Sequence, residues 1–95
     1  MAIPFDIRES DEFEISWKKL SYEVGPRARE FDESILAAVR TLYQKGPGYG
    51  QPHGDALYAV PVMEGYLLVY EWTTDRDEHG NAMFNHLALL PIERI

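Results

Sequence analysis

The sequence predicts an α+β fold, in which one or two N-terminal helices pack on an antiparallel sheet with a C-terminal three-stranded meander. Two patterns carry this prediction. Apolar residues recur at steps of three and four over residues 26–45, as on one face of an amphipathic helix. After residue 56 the chain contains runs of aromatic and β-branched residues separated by short polar turns, as in successive antiparallel strands.

Length and composition predict a single domain over residues 1–95. A chain of 95 residues supports one hydrophobic core, and its 45% hydrophobic residues are ample to fill it. There is no cysteine, which excludes disulfides, thiolate zinc sites and a cysteine nucleophile. No apolar run approaches the roughly 20 residues that span a bilayer, and residues 1–13 carry acids where a signal peptide needs bases. We expect a cytoplasmic protein without a membrane partner.

The chain is acidic. Nine Lys and Arg stand against sixteen Asp and Glu, a formal charge of −7. Acidic residues outnumber basic ones in both parts of the chain: residues 1–34 hold nine acids and five bases, and residues 35–95 hold seven acids and four bases. Proteins that bind nucleic acid without sequence preference draw their affinity from neutralising phosphates. The charge balance therefore argues against broad DNA or RNA binding.

The N-terminal segment fits two patterns. Its apolar residues alternate as in a strand and also fall on one face of a helix; they are Phe13, Ile15, Trp17 and Leu20. Ser10 is a residue type favoured at helix N-caps, and the acids that follow it would lie in the first turn. We therefore favour a strand at residues 3–8 and a helix at residues 10–22. The alternative is an extended segment at residues 12–18 that pairs with the sheet.

A helix is predicted over residues 26–45. Residues spaced three and four apart form its apolar face; they are Ala28, Phe31, Ile35, Ala38, Val39 and Leu42. Gly25 and Pro26 break the preceding chain and start the first turn, while Gly46 and Pro47 end the helix.

Residues 46–54, GPGYGQPHG, are predicted to form a loop. Their four glycines and two prolines interrupt both a helix and a strand ladder. The segment lacks the Gly-Lys-Ser/Thr ending of a P-loop, and it follows a helix where phosphate-binding loops precede one. We interpret it as a connector.

The C-terminal half predicts three strands. Residues 57–63 and 66–73 flank a Glu-Gly turn and form the pattern of a β-hairpin. Pro61 has no N–H to donate, so its strand should be an edge strand or carry a bulge. The polar residues 74–81 form a second turn, and residues 82–90 a third strand.

This order of elements resembles the RelE/ParE superfamily of bacterial toxin–antitoxin toxins. The most specific match is the hairpin, since members of that family often have an aromatic strand, a short turn ending in Gly, and then Tyr-Arg-Leu-Val-Tyr-Glu. Residues 58–71 here are YAVPVMEGYLLVYE. Residues 5–7, the WKKL segment at 17–20 and the long helix also fall in the corresponding order. The resemblance implies an antitoxin-like protein partner and cleavage of mRNA on the ribosome.

The resemblance also implies basic side chains on the central strands, which orient the 2′-hydroxyl, stabilise charge on the phosphate and protonate the leaving oxygen. Here Leu67 stands where the family commonly has Arg, and residues 57–63 contain no Lys or Arg. Arg94 is the only base near the place where a catalytic Arg usually follows the last strand. Either the catalytic set is rebuilt from other residues, or the protein is a relative without nuclease activity.

The candidate catalytic residues are Arg94, His86 and Tyr70. An imidazole titrates near neutral pH and a guanidinium pairs with phosphate, so these residues could combine acid–base catalysis with phosphate binding. A lone His in a strand is, however, more often half-buried with one hydrogen-bond partner, and His53 is more often an ordinary loop histidine. The three histidines show no pair at a spacing of three or four, so we predict neither a metal site nor a cofactor.

Two functions from different classes stay open. The first is a RelE/ParE-like toxin-superfamily protein, either a ribonuclease that acts on RNA or the ribosome, or a non-catalytic relative. The second is an acidic protein-binding module, such as an immunity or regulatory protein, that engages a basic partner or accepts a strand at a free sheet edge. Homo-oligomerisation is compatible with both.

Overall fold

The computed structural model describes residues 3–95. It contains two helices and six strands, which pack as one helical layer on one mixed sheet, so the predicted α+β class is confirmed. In chain order they are strand β1 (Phe5–Glu9), helices α1 (Asp11–Glu23) and α2 (Ala28–Lys45), and strands β2 (Gln51–Gly54), β3 (Leu57–Pro61), β4 (Tyr66–Arg76), β5 (Ala82–Leu89) and β6 (Glu93–Arg94).

Helix α1 begins at a side-chain cap, as predicted. The Ser10 hydroxyl accepts a hydrogen bond from the Phe13 N–H at 3.0 Å and donates one to the Leu89 carbonyl at 2.8 Å. The same residue therefore starts the helix and fastens it to the end of β5. The predicted helix over residues 10–22 is confirmed and the extended alternative is wrong. Ile15 is 65% exposed, so the strand-like alternation did not reflect a buried face.

Helix α2 confirms the second predicted helix, but the α-helix begins two residues later than predicted. Gly25–Arg27 form a 3-10 turn, and the α-helix runs from Ala28 to Lys45. Gly46 then takes a φ of 89°, a conformation that favours glycine. The helix buries one stripe of side chains against the sheet: Phe31, Ile35, Ala38 and Leu42. No helix within residues 3–95 is long and apolar enough to cross a membrane.

The strands lie in the order β1-β5-β4-β3-β2. The predicted meander is confirmed as β3, β4 and β5, which pair antiparallel. Strand β1 joins β5 in parallel, with Phe5 opposite Asn85 and Glu9 opposite Leu89. The short β6 pairs with β4 further along from β5. The sheet is thus mixed, and its N-terminal strand is held by the last strand of the meander.

The prediction of a loop throughout residues 46–54 is wrong for its second half. Residues 51–54 form β2, which pairs with β3 at the sheet edge. The register shifts between Pro52 and Gly54. An edge strand needs hydrogen bonds on one side only, so it can accommodate both proline and glycine. Pro61 lies beyond Ala59, where β2 pairing ends, so β3 is locally an edge at its proline.

The helices pack on one of the two faces of the sheet. We call the face packed against α1 and α2 the helix face and the opposite one the outer face. Residues paired across strands point to the same face, so Tyr70 lies with Leu89 on the helix face, while His86 lies with Thr73 on the outer face. The core cluster fills the space between the helices and the helix face: Phe13, Leu20, Phe31, Ile35, Ala38, Leu42, Val60, Met63, Leu68, Tyr70, Leu87, Leu89 and Ile92.

Candidate functional site

Tyr70 lies in the centre of the core, with none of its surface exposed. Its hydroxyl donates to the Pro47 carbonyl at 2.5 Å and accepts from the Gly50 N–H at 2.9 Å. Burial raises the pKa of Tyr70, and the hydrogen bond from Gly50 offsets part of that rise. In this arrangement the hydroxyl does not face solvent. It holds residues 46–50, which we call the Gly/Pro segment, against the sheet.

His86 lies on the outer face, where its ring is held between two carboxylates. Its Nε2 is 2.7 Å from an oxygen of Asp75 on β4, and its Nδ1 is 3.3 Å from an oxygen of Asp6 on β1. The hydrogen bond with Asp75 raises the pKa of His86 most, partial burial opposes the rise, and Asp6 adds to it. The imidazolium form is therefore favoured, and it joins three strands of the sheet.

Arg94 lies on β6, opposite Tyr66 and therefore on the helix face. Its guanidinium forms a salt bridge with Glu23 at the end of α1 and lies 6.0 Å from the centre of the Tyr66 ring. The Tyr66 ring and the Glu23 carboxylate both stabilise the positive charge of this guanidinium. Arg94 thus joins the C-terminal strand to the first helix.

The structure does not bring Tyr70, His86 and Arg94 together. Tyr70 and Arg94 lie on the helix face and His86 on the outer face. Along β4, Arg94 is level with Tyr66 and His86 with Thr73, a separation of about 23 Å at the rise of a strand. No single substrate phosphate can contact all three side chains in this arrangement.

His53 also has a carboxylate partner. It lies on β2, and its Nε2 is 2.9 Å from an oxygen of Glu93 on β6. Strands β3 and β4 separate β2 from β6 in the sheet, so this contact spans the outer face. Ala59 and Val69, opposite each other on those two strands, are only 5% and 1% exposed. We infer that the sheet curls here and covers its own small apolar residues.

A groove of 440 Å³ lies between α1 and α2, a feature that the sequence patterns did not indicate. The indole N–H of Trp17 donates to Asp32 at 2.7 Å, which fixes the ring in the wall. Leu36, 52% exposed, adds apolar surface beside it. The groove is lined by Glu9, Glu14, Trp17, Lys18, Ser21, Asp32 and Leu36.

The groove combines an apolar wall with negative charge. Three of its lining residues are acids and one, Lys18, is a base. Its α1 residues, at positions 14, 17, 18 and 21, share one helical face. That spacing could have been recognised in the sequence once the helix was assigned. The arrangement suits a ligand that presents both apolar and positively charged groups.

No group of three or more histidine, aspartate or glutamate side chains within residues 3–95 is placed to hold a metal ion. His86 has two carboxylate neighbours, but they contact opposite nitrogens of the ring. The three side chains therefore do not converge on one point, as metal ligands must.

No protein-family model and no solved structure matches the chain. Among curated proteins, the chain is similar to a segment of the cysteine–tRNA ligase of Laribacter hongkongensis, with 33% identity over 61 residues, which is 64% of this chain and 13% of that protein. It is 42% identical over 60 residues to the cysteine–tRNA ligase of Nitrosococcus oceani, which covers 63% of this chain and 12% of that protein. The chain thus spans about an eighth of the length of the curated relatives it matches. These partial similarities assign it to no family.

Proposed function

We propose that this chain is a RelE/ParE-like protein of a toxin–antitoxin type system, without ribonuclease activity, that acts by binding a basic protein partner in the cytoplasm. One observation carries the proposal. The three residues expected to perform catalysis lie on two faces of the sheet, and each is engaged by neighbours within the protein.

The architecture supports the first part of the proposal. The order of one strand, two helices, a Gly/Pro segment and an antiparallel meander is the order on which the RelE/ParE resemblance rests. The hairpin with the most specific sequence match forms β3 and β4, in the interior of the sheet. A shared architecture leaves the activity to be argued from the site.

The electrostatics of the sheet support the second part. Cleavage of a phosphodiester needs cations aimed at the phosphate. Glu23 neutralises Arg94, and His86 lies between Asp6 and Asp75. Glu71 adds a further carboxylate to the outer face, on the strand that carries Asp75. A phosphate approaching His86 would therefore meet negative charge.

The groove between α1 and α2 supports the choice of partner. Trp17 and Leu36 offer an apolar surface, while Glu9 and Glu14 supply negative charge that attracts a basic segment. Complementary charge of this kind speeds association and selects against acidic partners.

The absence of nuclease activity is tested by incubating the purified protein with mRNA, with and without ribosomes. We expect no cleavage above a buffer control. Cleavage that is lost in His86→Gln but retained in His79→Gln would overturn the proposal, because His79 is an exposed histidine far from the sheet centre, in the turn between β4 and β5.

Partner binding is tested with a defined probe, an amphipathic helical peptide with leucines on one face and lysines on its flanks. Isothermal titration should show binding that is weakened in Glu14→Gln and in Leu36→Ser. The matched control is Glu64→Gln, an exposed acid in the turn between β3 and β4. Equal weakening by Glu14→Gln and Glu64→Gln with no effect of Leu36→Ser, or equal binding of a peptide with serines replacing the leucines, would assign the interaction to net charge alone and contradict this site.

One observation favours the ribonuclease as a second candidate. The ring of His86 is 29% exposed, and its pKa is raised, mainly by the hydrogen bond to Asp75, which favours the protonated imidazolium. Such a group can protonate a leaving oxygen. This candidate predicts cleavage that depends on His86 and is insensitive to changes at Leu36 in the α1–α2 groove.

A further inference from the structure

Strand β1 has an unpaired side. Within residues 3–95 it pairs with β5 alone, at the end of the sheet. The Pro4 carbonyl accepts from the Asn85 N–H at 2.9 Å. Backbone groups alternate in direction along a strand, so those of Asp6 and Arg8 also face β5, while those of Phe5, Ile7 and Glu9 point away from the sheet. Such an edge is a template for another strand.

The sequence of β1 is complementary to itself. If a second copy of β1 runs antiparallel with Ile7 opposite Ile7, then Phe5 lies opposite Glu9 of the other copy. These are the residues whose backbone groups point outward, and they would exchange about six hydrogen bonds. Asp6 then lies opposite Arg8 of the second copy, twice by symmetry. Those positions fall between the hydrogen-bonded pairs, where opposing side chains approach most closely.

Charge selects this register over its neighbours. A shift of two residues in one direction keeps the outward backbone groups aligned but places Asp6 opposite Asp6. The opposite shift places Arg8 opposite Arg8. Like charges directly opposite each other are destabilising. A shift of one residue would place backbone groups that already face β5 opposite the partner's outward groups. Only the register centred on Ile7 both pairs the outward backbone groups of the two copies in hydrogen bonds and places opposite charges next to each other.

Apolar surface on α2 lies along the same edge. The Tyr43 ring stacks on that of Phe5, with centroids 6.4 Å apart, and Leu36 lines a groove together with Glu9. Helix α2 therefore follows β1 from end to end. Leu36 and Tyr43 are 52% and 56% exposed although they are large and apolar, and they lie two helical turns apart on one stripe. Pairing of two β1 strands would bring these stripes of the two copies together, so the dimer and the basic partner proposed above would compete for Leu36.

The geometry points to a symmetric dimer of this chain, formed by antiparallel pairing of the two β1 strands about Ile7 and covered by the Leu36–Tyr43 stripes of the two α2 helices. A five-residue strand alone buries little surface, so the apolar stripes are needed for a stable dimer. In the single chain, Arg8 lies 3.3 Å from its own Asp6. In the dimer it pairs instead with Asp6 of the other copy.

The test measures self-association by sedimentation over a range of protein concentrations. Arg8→Asp places like charges opposite each other twice and should weaken the dimer about tenfold or more. The double variant Asp6→Arg/Arg8→Asp restores complementarity across the dimer, while it removes one of the two carboxylates beside His86, and should recover most of the affinity. The control Arg27→Asp makes the same change of net charge at an exposed position in the turn between α1 and α2, off the Leu36–Tyr43 stripe, and should have little effect.

A second measurement identifies the register. The chain has no cysteine, so Ile7→Cys introduces one thiol per copy at the position that faces itself, where the Cα separation of about 5.5 Å permits a disulfide. Mild oxidation should cross-link Ile7→Cys but not Glu64→Cys. A monomeric protein at all concentrations, or a dimer that resists Arg8→Asp and does not cross-link through position 7, would overturn the inference. Circular dichroism of each variant verifies that it is folded.

Discussion

The hydroxyl of Tyr70 occupies the space that a side chain on Gly50 would need. A Cβ built on Gly50 would lie 2.7 Å from that oxygen and 2.8 Å from the ring. The same hydroxyl accepts the Gly50 N–H, so the two residues are joined by a hydrogen bond and by close packing. The position of the Gly/Pro segment therefore depends on this contact.

Gly50→Ala should destabilise the protein by about 1–3 kcal/mol, because the added methyl overpacks a rigid, buried neighbour. Gly48→Ala is the matched control, since nothing lies within 4 Å of the position its Cβ would take. Urea unfolding of both variants measures the difference. Equal stability of the two would show that the segment shifts freely.

Tyr70→Phe should also destabilise the protein, by about 1–3 kcal/mol, because it leaves the buried Gly50 N–H and the Pro47 carbonyl without their partner. Tyr22→Phe, at an 88% exposed tyrosine, should be nearly neutral. Chemical denaturation distinguishes them. If Tyr70→Phe kept full stability, the hydrogen bonds of the buried Tyr70 hydroxyl would not stabilise the fold as described.

Ser10→Ala removes both the N-cap of α1 and the link to β5. The loss should be about 1 kcal/mol for the cap, with a further part for the unpaired Leu89 carbonyl. Thermal unfolding monitored by circular dichroism provides the measurement. Ser34→Ala, which loses only a bond to a carbonyl within its own helix, should have the smaller effect.

His86 should make stability depend on pH in a defined direction. Its pKa is raised on folding, so its stabilising contribution is complete below the pKa of about 6.5 that it has in the unfolded chain and is lost as the pH rises through the folded value. His86→Gln should therefore lower the melting temperature more at pH 5.5 than at pH 8.5.

The exposed His79 provides the comparison for that measurement. His79→Gln should change the melting temperature by little at either pH. Titration of the His86 ring by NMR gives the folded pKa directly, and a value at or below that of an unfolded histidine would contradict the proposed contacts with Asp75 and Asp6.

Local patterns predicted the helices and the hairpin well. The Ser10 cap, the spacing of apolar residues in α2 and the Gly46 stop all act within a few residues, so they can be recognised in the sequence. Strand β2 was missed because its Gly and Pro are typical of loops, and only the sheet edge makes them acceptable in a strand.

The contacts of the site were less predictable, because they join distant parts of the chain. His86 was identified as a candidate, but its partner Asp6 lies 80 positions away, and only the parallel pairing of β1 with β5 places them side by side. The groove between the helices was missed for a related reason. Trp17 and Asp32 belong to different helices, and their hydrogen bond depends on how these helices pack.

The pairing of β1 with β5 also constrains the order of folding. Strand β1 is synthesised before β5, so Phe5 and Ile7 have no strand to pair with while both helices and the β3–β4 hairpin form from local contacts. We expect β1 to dock late in refolding. Pulsed hydrogen exchange should therefore show protection in β4 before β1, and the reverse order would contradict this view.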